Sequence, residues 1–413
     1  MGFLSSDKLI VGYDLGNKNS QISFAVSESG EVETLSVVAG VQDFNIPTVL
    51  CKRYGVNQWF YGKEALRYAE EDQGILVENL LELALDGEPV VIEGESFNPV
   101  ALLALFFKRS LGVLSRVGTP DKLTALMLTC PSMDRRVMEV LGQVVDGIHL
   151  KADRVFFQSH TESFYNYMIH QPKELWTYQA VMFHYKENSI KAYRLECNRH
   201  TTPIVVFIEE KEYSFEEYPL LEQQDDAAFQ RIAEEMCAGN QVAGVFLIGD
   251  GFTGDWMKES LRYLCRGRRV FQGNNLFSKG ACHGMQELLL KSEVGKEYVF
   301  LGKDKLKANI GIKLLRGGEP SYQALLDAGG NWYETECVTE IYGQEGEELK
   351  LTITPLIGRK GREVSIMLED MPGNIARLQL MLFMDSEVMI TVEVTDLGFV
   401  EFRAPSGKFG RNR

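Results

Sequence analysis

The order of apolar runs in residues 9–170 recurs in residues 179–291, and a chain written twice on one plan leaves few architectures open. In the first copy, β-branched and apolar runs predict strands over 9–14, 20–27 and 31–38. After an intervening region come helix 99–115, strand 123–130, helix 133–148, strand 154–158 and helix 161–170. The second copy predicts strands 179–184, 189–197 and 203–209, helix 225–238, strand 242–248, helix 253–265, strand 269–271 and helix 278–291. The helices rest on three-to-four spacing, as in Val137, Val140, Leu141, Val144, Val145 and Ile148. Three strands on tight turns, then helix, strand, helix, strand, helix, describe a mixed sheet with covering helices. Two such copies facing each other make a two-lobed α/β body with a cleft between the lobes.

Beyond residue 291 the pattern shifts to alternating strands with glycine turns, over 298–301, 310–315, 333–341, 349–355, 364–368, 377–383, 388–394 and 400–403. That is the pattern of an all-β domain. The expected organisation is therefore an α/β domain over 1–293, with lobes of about 1–175 and 176–293, followed by a β-domain over 294–413.

Charge narrows the partners. Lys+Arg number 43 against 58 Asp+Glu, a formal charge of -15, so the chain repels a phosphate backbone and nucleic acid is not an expected partner. The seven cysteines are scattered without a CxxC pair, a usage that fits a reducing cytoplasm. The longest apolar stretch, 100–107, ends at Lys108 and Arg109, far short of the roughly 20 residues a membrane span needs. Met1, Gly2 and Ser6 fit an acylation pattern, one short enough to arise by chance.

The first turn of copy one reads Asp14-Leu15-Gly16-Asn17-Lys18-Asn19-Ser20. A glycine there lets the backbone approach a ligand, and an aspartate can hold a cation's water shell. This turn resembles the first phosphate motif of the actin, sugar-kinase and heat-shock chaperone superfamily. Residues 44–49 and 61–65 resemble the next landmarks of the seventy-kilodalton chaperones, and 126–132 their "TVPA" segment. Residues 245–251, followed by 279–284, resemble their adenosine motif and closing helix. The resemblance implies a duplicated RNase H-like, actin-type ATPase fold binding ATP or ADP. It implies nucleotide contacts at Asp14, Leu15, Gly16, Asn17, Lys18, Ser20, Ser189, Gly249, Asp250 and Gly251, with Mg held through water by Asp14. Taken singly, Gly16 and Gly249 also read as ordinary turn residues and Asp14 as a solvated turn acid.

The catalytic pattern of that family is broken here. Its second phosphate loop, an aspartate and a glycine run, is replaced by His184-Tyr185-Lys186-Glu187-Asn188-Ser189. Bulky side chains remove the bare backbone that cradles phosphate, and Glu187 adds negative charge. The chaperones' glutamate has no counterpart in Gln158-Ser159-His160-Thr161, and Glu78 and Asn79 stand where their catalytic lysine falls. These three absences argue against efficient ATP turnover. His184 reads as a strand-end structural residue or as a proton shuttle. The acidic run Glu209, Glu210, Glu212, Glu216, Glu217, Glu222, Asp225 and Asp226 reads as a solvated face or as a patch for a basic partner.

Residues 368–373, 378–385, 389–394 and 406–408 resemble, in order, the chaperones' β-type peptide-binding domain, and the chain stops at Arg413 without a helical lid. Met381, Phe383, Met384 and Met389 read as a sandwich core or as a peptide groove. The apolar segment 296–302 is expected to dock on a lobe or to form the first strand of the β-domain. The expectation is a chaperone-like binding or regulatory module with a protein or peptide partner and a degenerate nucleotide cleft. An active ATP-dependent chaperone, an ATP hydrolase with a non-standard loop, is one alternative, and an actin-like assembly subunit another.

Overall fold

In the computed structural model, Leu9–Leu15 is the middle strand of a six-stranded sheet and is buried along its whole length. The structure describes residues 9–412 apart from 39, 119–122, 151, 153, 240, 345, 357–359, 369–374 and 399–406. The acylation pattern, the 400–403 strand, residue 413 and most of 368–373 thus lie outside the described residues. The chain divides into two compact units, Met1–Val299 and Phe300–Arg413.

The first unit is a mixed α/β body in which one sheet is built twice. Leu9–Leu15 pairs antiparallel with Asn19–Ala25 and parallel with Leu123–Cys130. Arg154–Ser159 and Glu33–Thr34 extend the sheet on either side. In the second sheet, Gln179–Tyr185 pairs antiparallel with Ser189–Asn198 and parallel with Val242–Ile248, extended by Arg269–Gln272 and Ile204–Ser214. Both central strands slip register at the same place, between Leu9 and Ile10 and between Gln179 and Ala180. Counted from that slip, Asp14 and His184 stand on the same rung, opposite Thr129 and Ile248.

Adjacent residues of a strand face opposite sides, and the first central strand uses both. The Tyr13 ring meets Phe107 of helix Pro99–Leu111 at 4.7 Å, and its hydroxyl meets Ser110 at 2.7 Å. On the other side, Gly12 lies so close to helix Leu276–Leu289 that a Cβ would collide with the Cys282 backbone.

The two halves exchange their last helices. Leu276–Leu289 belongs to the second half, yet Ser278 bonds Ser23 at 2.8 Å and Gln286 donates to the Gly30 carbonyl at 2.8 Å. Helix His160–Ile169 belongs to the first half, yet Phe164 packs on Tyr193 and Phe246 of the second sheet. The two helices cross at Gly280, where the Ser163 carbonyl leaves no room for a side chain.

Several expectations are corrected. Helix 253–265 shrinks to Glu259–Leu264 because the Asp226 carboxylate accepts the backbone N–H groups of Lys258, Glu259 and Ser260, fixing where the helix begins. Strand 203–209 runs on as Ile204–Ser214 and takes in Glu209, Glu210 and Glu212 of the acidic run, while Glu216, Glu217 and Glu222 are exposed beyond it. Glu209 and Glu210 answer Arg194 and Lys191 across that ladder, and Glu212 answers Lys186. Asp225 caps helix Asp226–Cys237. Tyr298–Phe300 is the edge strand of the second sheet, with Tyr298 packed on Trp176 at 4.9 Å.

Every described element of the second unit from Ala308 onward is a strand. Four antiparallel strands run in the order Glu319–Leu326, Ala308–Arg316, Glu348–Pro355, Arg362–Met367. Four more run Glu336–Gln344, Ile375–Ser386, Met389–Asp396, Gly407–Asn412. Ala376, Leu378, Leu380 and Leu382 alternate into the core, and Phe383 and Met384 are also buried, whereas Met389 is exposed. Phe383 and Met384 are therefore part of the packing, while Met381 is half-buried. No described helix is long and apolar enough to cross a membrane.

Candidate functional site

The ends of the two central strands and the turns that follow them hold Asp14, Leu15, Gly16, Asn17, Lys18, Ser20 and Ser189, and Gly249, Asp250 and Gly251, after strand Val242–Ile248, meet the second turn at Tyr185. Each turn closes with the same hydrogen bond, Gly16 N–H to the Asn19 carbonyl at 3.2 Å and Lys186 N–H to the Ser189 carbonyl at 2.8 Å. One frame therefore carries Gly-Asn-Lys in the first copy and Lys-Glu-Asn in the second. The two turns meet through Lys18 and Glu187 at 3.3 Å, an exposed pair of small energetic weight.

Asp14 sits at the centre. Its Oδ1 accepts a hydrogen bond from His160 Nε2 at 2.7 Å, and both residues are buried. Ser159 caps the helix that His160 begins, so the cap fixes where the imidazole stands. The His160 ring stacks on Phe277 with centroids 3.7 Å apart and planes 9° apart. His184, on the rung equivalent to Asp14, approaches the same phenylalanine at 5.3 Å and the His160 ring at 6.2 Å. Burial, reinforced by His160, Lys186 and Lys191, holds the His184 imidazole well below its ordinary pKa. It is neutral at pH 7.

The remaining candidates are engaged within the chain. Asn17 accepts the Glu82 N–H at the start of helix Leu80–Asp86 at 3.1 Å. Ser20 bonds Thr48 at 2.8 Å. Ser189 donates to Glu212 at 2.7 Å, which lowers the pKa of that carboxyl, and Lys186 reaches the same oxygen at 3.2 Å. Leu15 is fully buried in its strand. Asp250 accepts from Asn274 Nδ2 at 3.0 Å, and the same amide's oxygen accepts the Gly249 N–H at 3.0 Å.

Tyr185 explains the two glycines of the second half. A Cβ on Gly251 would run into its ring, and a Cβ on Gly249, whose φ is 102°, would run into its carbonyl oxygen. The tyrosine hydroxyl donates to the Leu221 carbonyl at 2.5 Å, and its ring packs against Phe215, Phe252 and Trp256. A bulky residue in the turn is thus matched by bare backbone opposite.

Sequence reasoning missed His160 as a partner of Asp14, and Phe277 altogether. The only signal was the position of His160, one residue after a Ser159 that reads as a helix cap. Gln158, the first residue of the run expected to lack a glutamate, donates to Ser163 at 2.7 Å and accepts from Asn166 at 3.2 Å. It joins Thr129 in a buried chain of hydroxyls and amides. Among the described residues no group of three or more His, Cys, Asp and Glu is arranged to hold a metal ion.

A family model described as "Family of unknown function (DUF5716) C-terminal" matches residues 31–303, and one described as "Domain of unknown function (DUF8552)" matches residues 305–412. No curated protein matches the chain. The two matched segments meet within a few residues of the division between the compact units. With most of its length matched, the chain belongs to the DUF5716 C-terminal family, whose function is unknown.

Proposed function

We propose that the first unit is an actin- and heat-shock-type ATPase fold turned into a non-hydrolysing binding or regulatory module. Its support is the duplicated strand order with exchanged closing helices, together with the residue resemblance over the same segments. The partner is a protein or peptide.

The observation that carries the loss of turnover is the 2.7 Å contact between Asp14 and His160. A carboxylate that holds a cation's water shell has its oxygens turned to water; here one of them is taken by a buried imidazole. The other donors are spent on internal partners, and Glu187 and Glu212 place negative charge beside the second turn. The residues present do not fit a magnesium polyphosphate, so no hydrolytic step is derived through one.

Steady-state phosphate release from Mg-ATP tests this reading. The expected rate equals a protein-free blank. Release that is saturable in ATP and vanishes in Asp14→Asn overturns it.

A further inference from the structure

Four of the six histidines of the chain stand in two pairs where the halves of the first unit meet. Both pairs are hung on one helix, His160–Ile169. At its first residue, His160 is held by Asp14 and lies against Phe277 and His184 of the second half. At its C-terminal cap, His170 Nε2 meets Glu287 at 3.2 Å while Nδ1 faces the Asn166 carbonyl at 2.9 Å. The His170 ring stacks on His283 of the second half, with centroids 4.0 Å apart and planes 12° apart. Each pair is thus a carboxylate-bound imidazole against a second imidazole contributed by the other half.

We propose that the two pairs form an acid-operated latch, in which charging His184 and His283 releases helix His160–Ile169 from the second half. The geometry makes charging costly while the latch is closed. His184 has a buried Nδ1 with no hydrogen-bond partner. It faces His160 from the helix and Lys191 from the neighbouring strand, with Lys186 beyond its own strand end, the lysines being paired with Glu210 and Glu212. His283 faces His170 across the seam and Lys279 and Glu287 along its own helix, and its Nδ1 donates to a Gln286 oxygen whose amide nitrogen is fixed by Ser27 and Gly30.

Burial, then His170, pushes the His283 imidazole down to about 3. Burial lowers His184 in the same direction. Opening returns both rings to water, where an imidazole titrates near pH 6.5. The closed state resists protons that the open state accepts, so opening is unaffected above that pH. Below it, the opening equilibrium grows tenfold per pH unit for each ring. Two rings give about 100-fold per unit, and the His283 share continues until about pH 3.

Hydrogen exchange of the full chain between pH 7.5 and 5, corrected for intrinsic rates, tests the latch. Expected is a steep rise in opening below pH 6.5 in segments 160–170 and 276–289, with residues 226–237 still protected. His283→Gln should reduce the slope to about tenfold per unit, and adding His184→Gln should abolish it. Three results overturn the proposal: opening independent of pH, a slope unchanged in His283→Gln, or loss of protection in 226–237 together with the helices. The latch does not depend on the proposed absence of ATP turnover, and neither result decides the other.

Discussion

Asp14 and His184 occupy the same rung of two copies of one sheet, and the stacked rings of His160 and Phe277 lie between them. A carboxylate in one copy and a neutral imidazole in the other leave the centre of the unit with one internally bonded acid. If Asp14 serves His160 in this way, Asp14→Asn weakens a buried, charge-assisted hydrogen bond and lowers stability by roughly 1–3 kcal/mol. Denaturant unfolding without ligand measures this. An Asp14→Asn protein more stable than the parent would mean that the carboxylate is unpaired.

Glycine positions separate tight packing from mere turn formation. Gly280→Ala should cost more than about 2 kcal/mol, since the added methyl meets the Ser163 backbone where two helices cross. Gly142 lies inside helix Arg135–Gly147 with open space where its Cβ would stand. Gly142→Ala should stabilise by about 0.5–1 kcal/mol. Melting curves of both variants check the pair, and equal effects would contradict the helix crossing.

Tyr185 offers a third test. Tyr185→Phe keeps the ring that fills the space at Gly251 and removes the hydroxyl bonded to Leu221. A loss of about 0.5–1.5 kcal/mol is expected, with the fold retained. Tyr185→Ala should cost more, because the ring leaves Phe215, Phe252 and Trp256 partly uncovered. If the two variants melt alike, the ring is not packed as described.

The repeat was legible because strands and helices announce themselves by period: the runs at 9–14 and 179–184 became Leu9–Leu15 and Gln179–Tyr185. What failed were features set by contacts distant in sequence. Asp226 fixes the start of a helix 33 residues away, and nothing in 253–258 itself shows that. Asp14 and His160 are 146 residues apart, so their pairing is invisible to any local pattern. The acidic run is exposed at Glu216, Glu217 and Glu222, as a solvated face is, but the partners of Glu209, Glu210 and Glu212, which are Arg194 and Lys191 on the preceding strand and Lys186 in the turn before it, are invisible to a local pattern. The sequence did show bulky side chains in the turn at 184–189, but not that Gly251 would be the surface that Tyr185 packs against.

The central claim is that the residues expected to contact nucleotide are engaged by partners within the chain itself. A ligand at free concentration L that binds only the folded state stabilises it by RT ln(1 + L/Kd), so its melting temperature rises with the logarithm of ligand concentration above Kd. Thermal unfolding of the whole chain with increasing Mg-ATP and Mg-ADP therefore tests the claim most directly. The predicted result is a melting temperature unchanged up to millimolar nucleotide. A concentration-dependent rise that disappears in Asp14→Asn would contradict it.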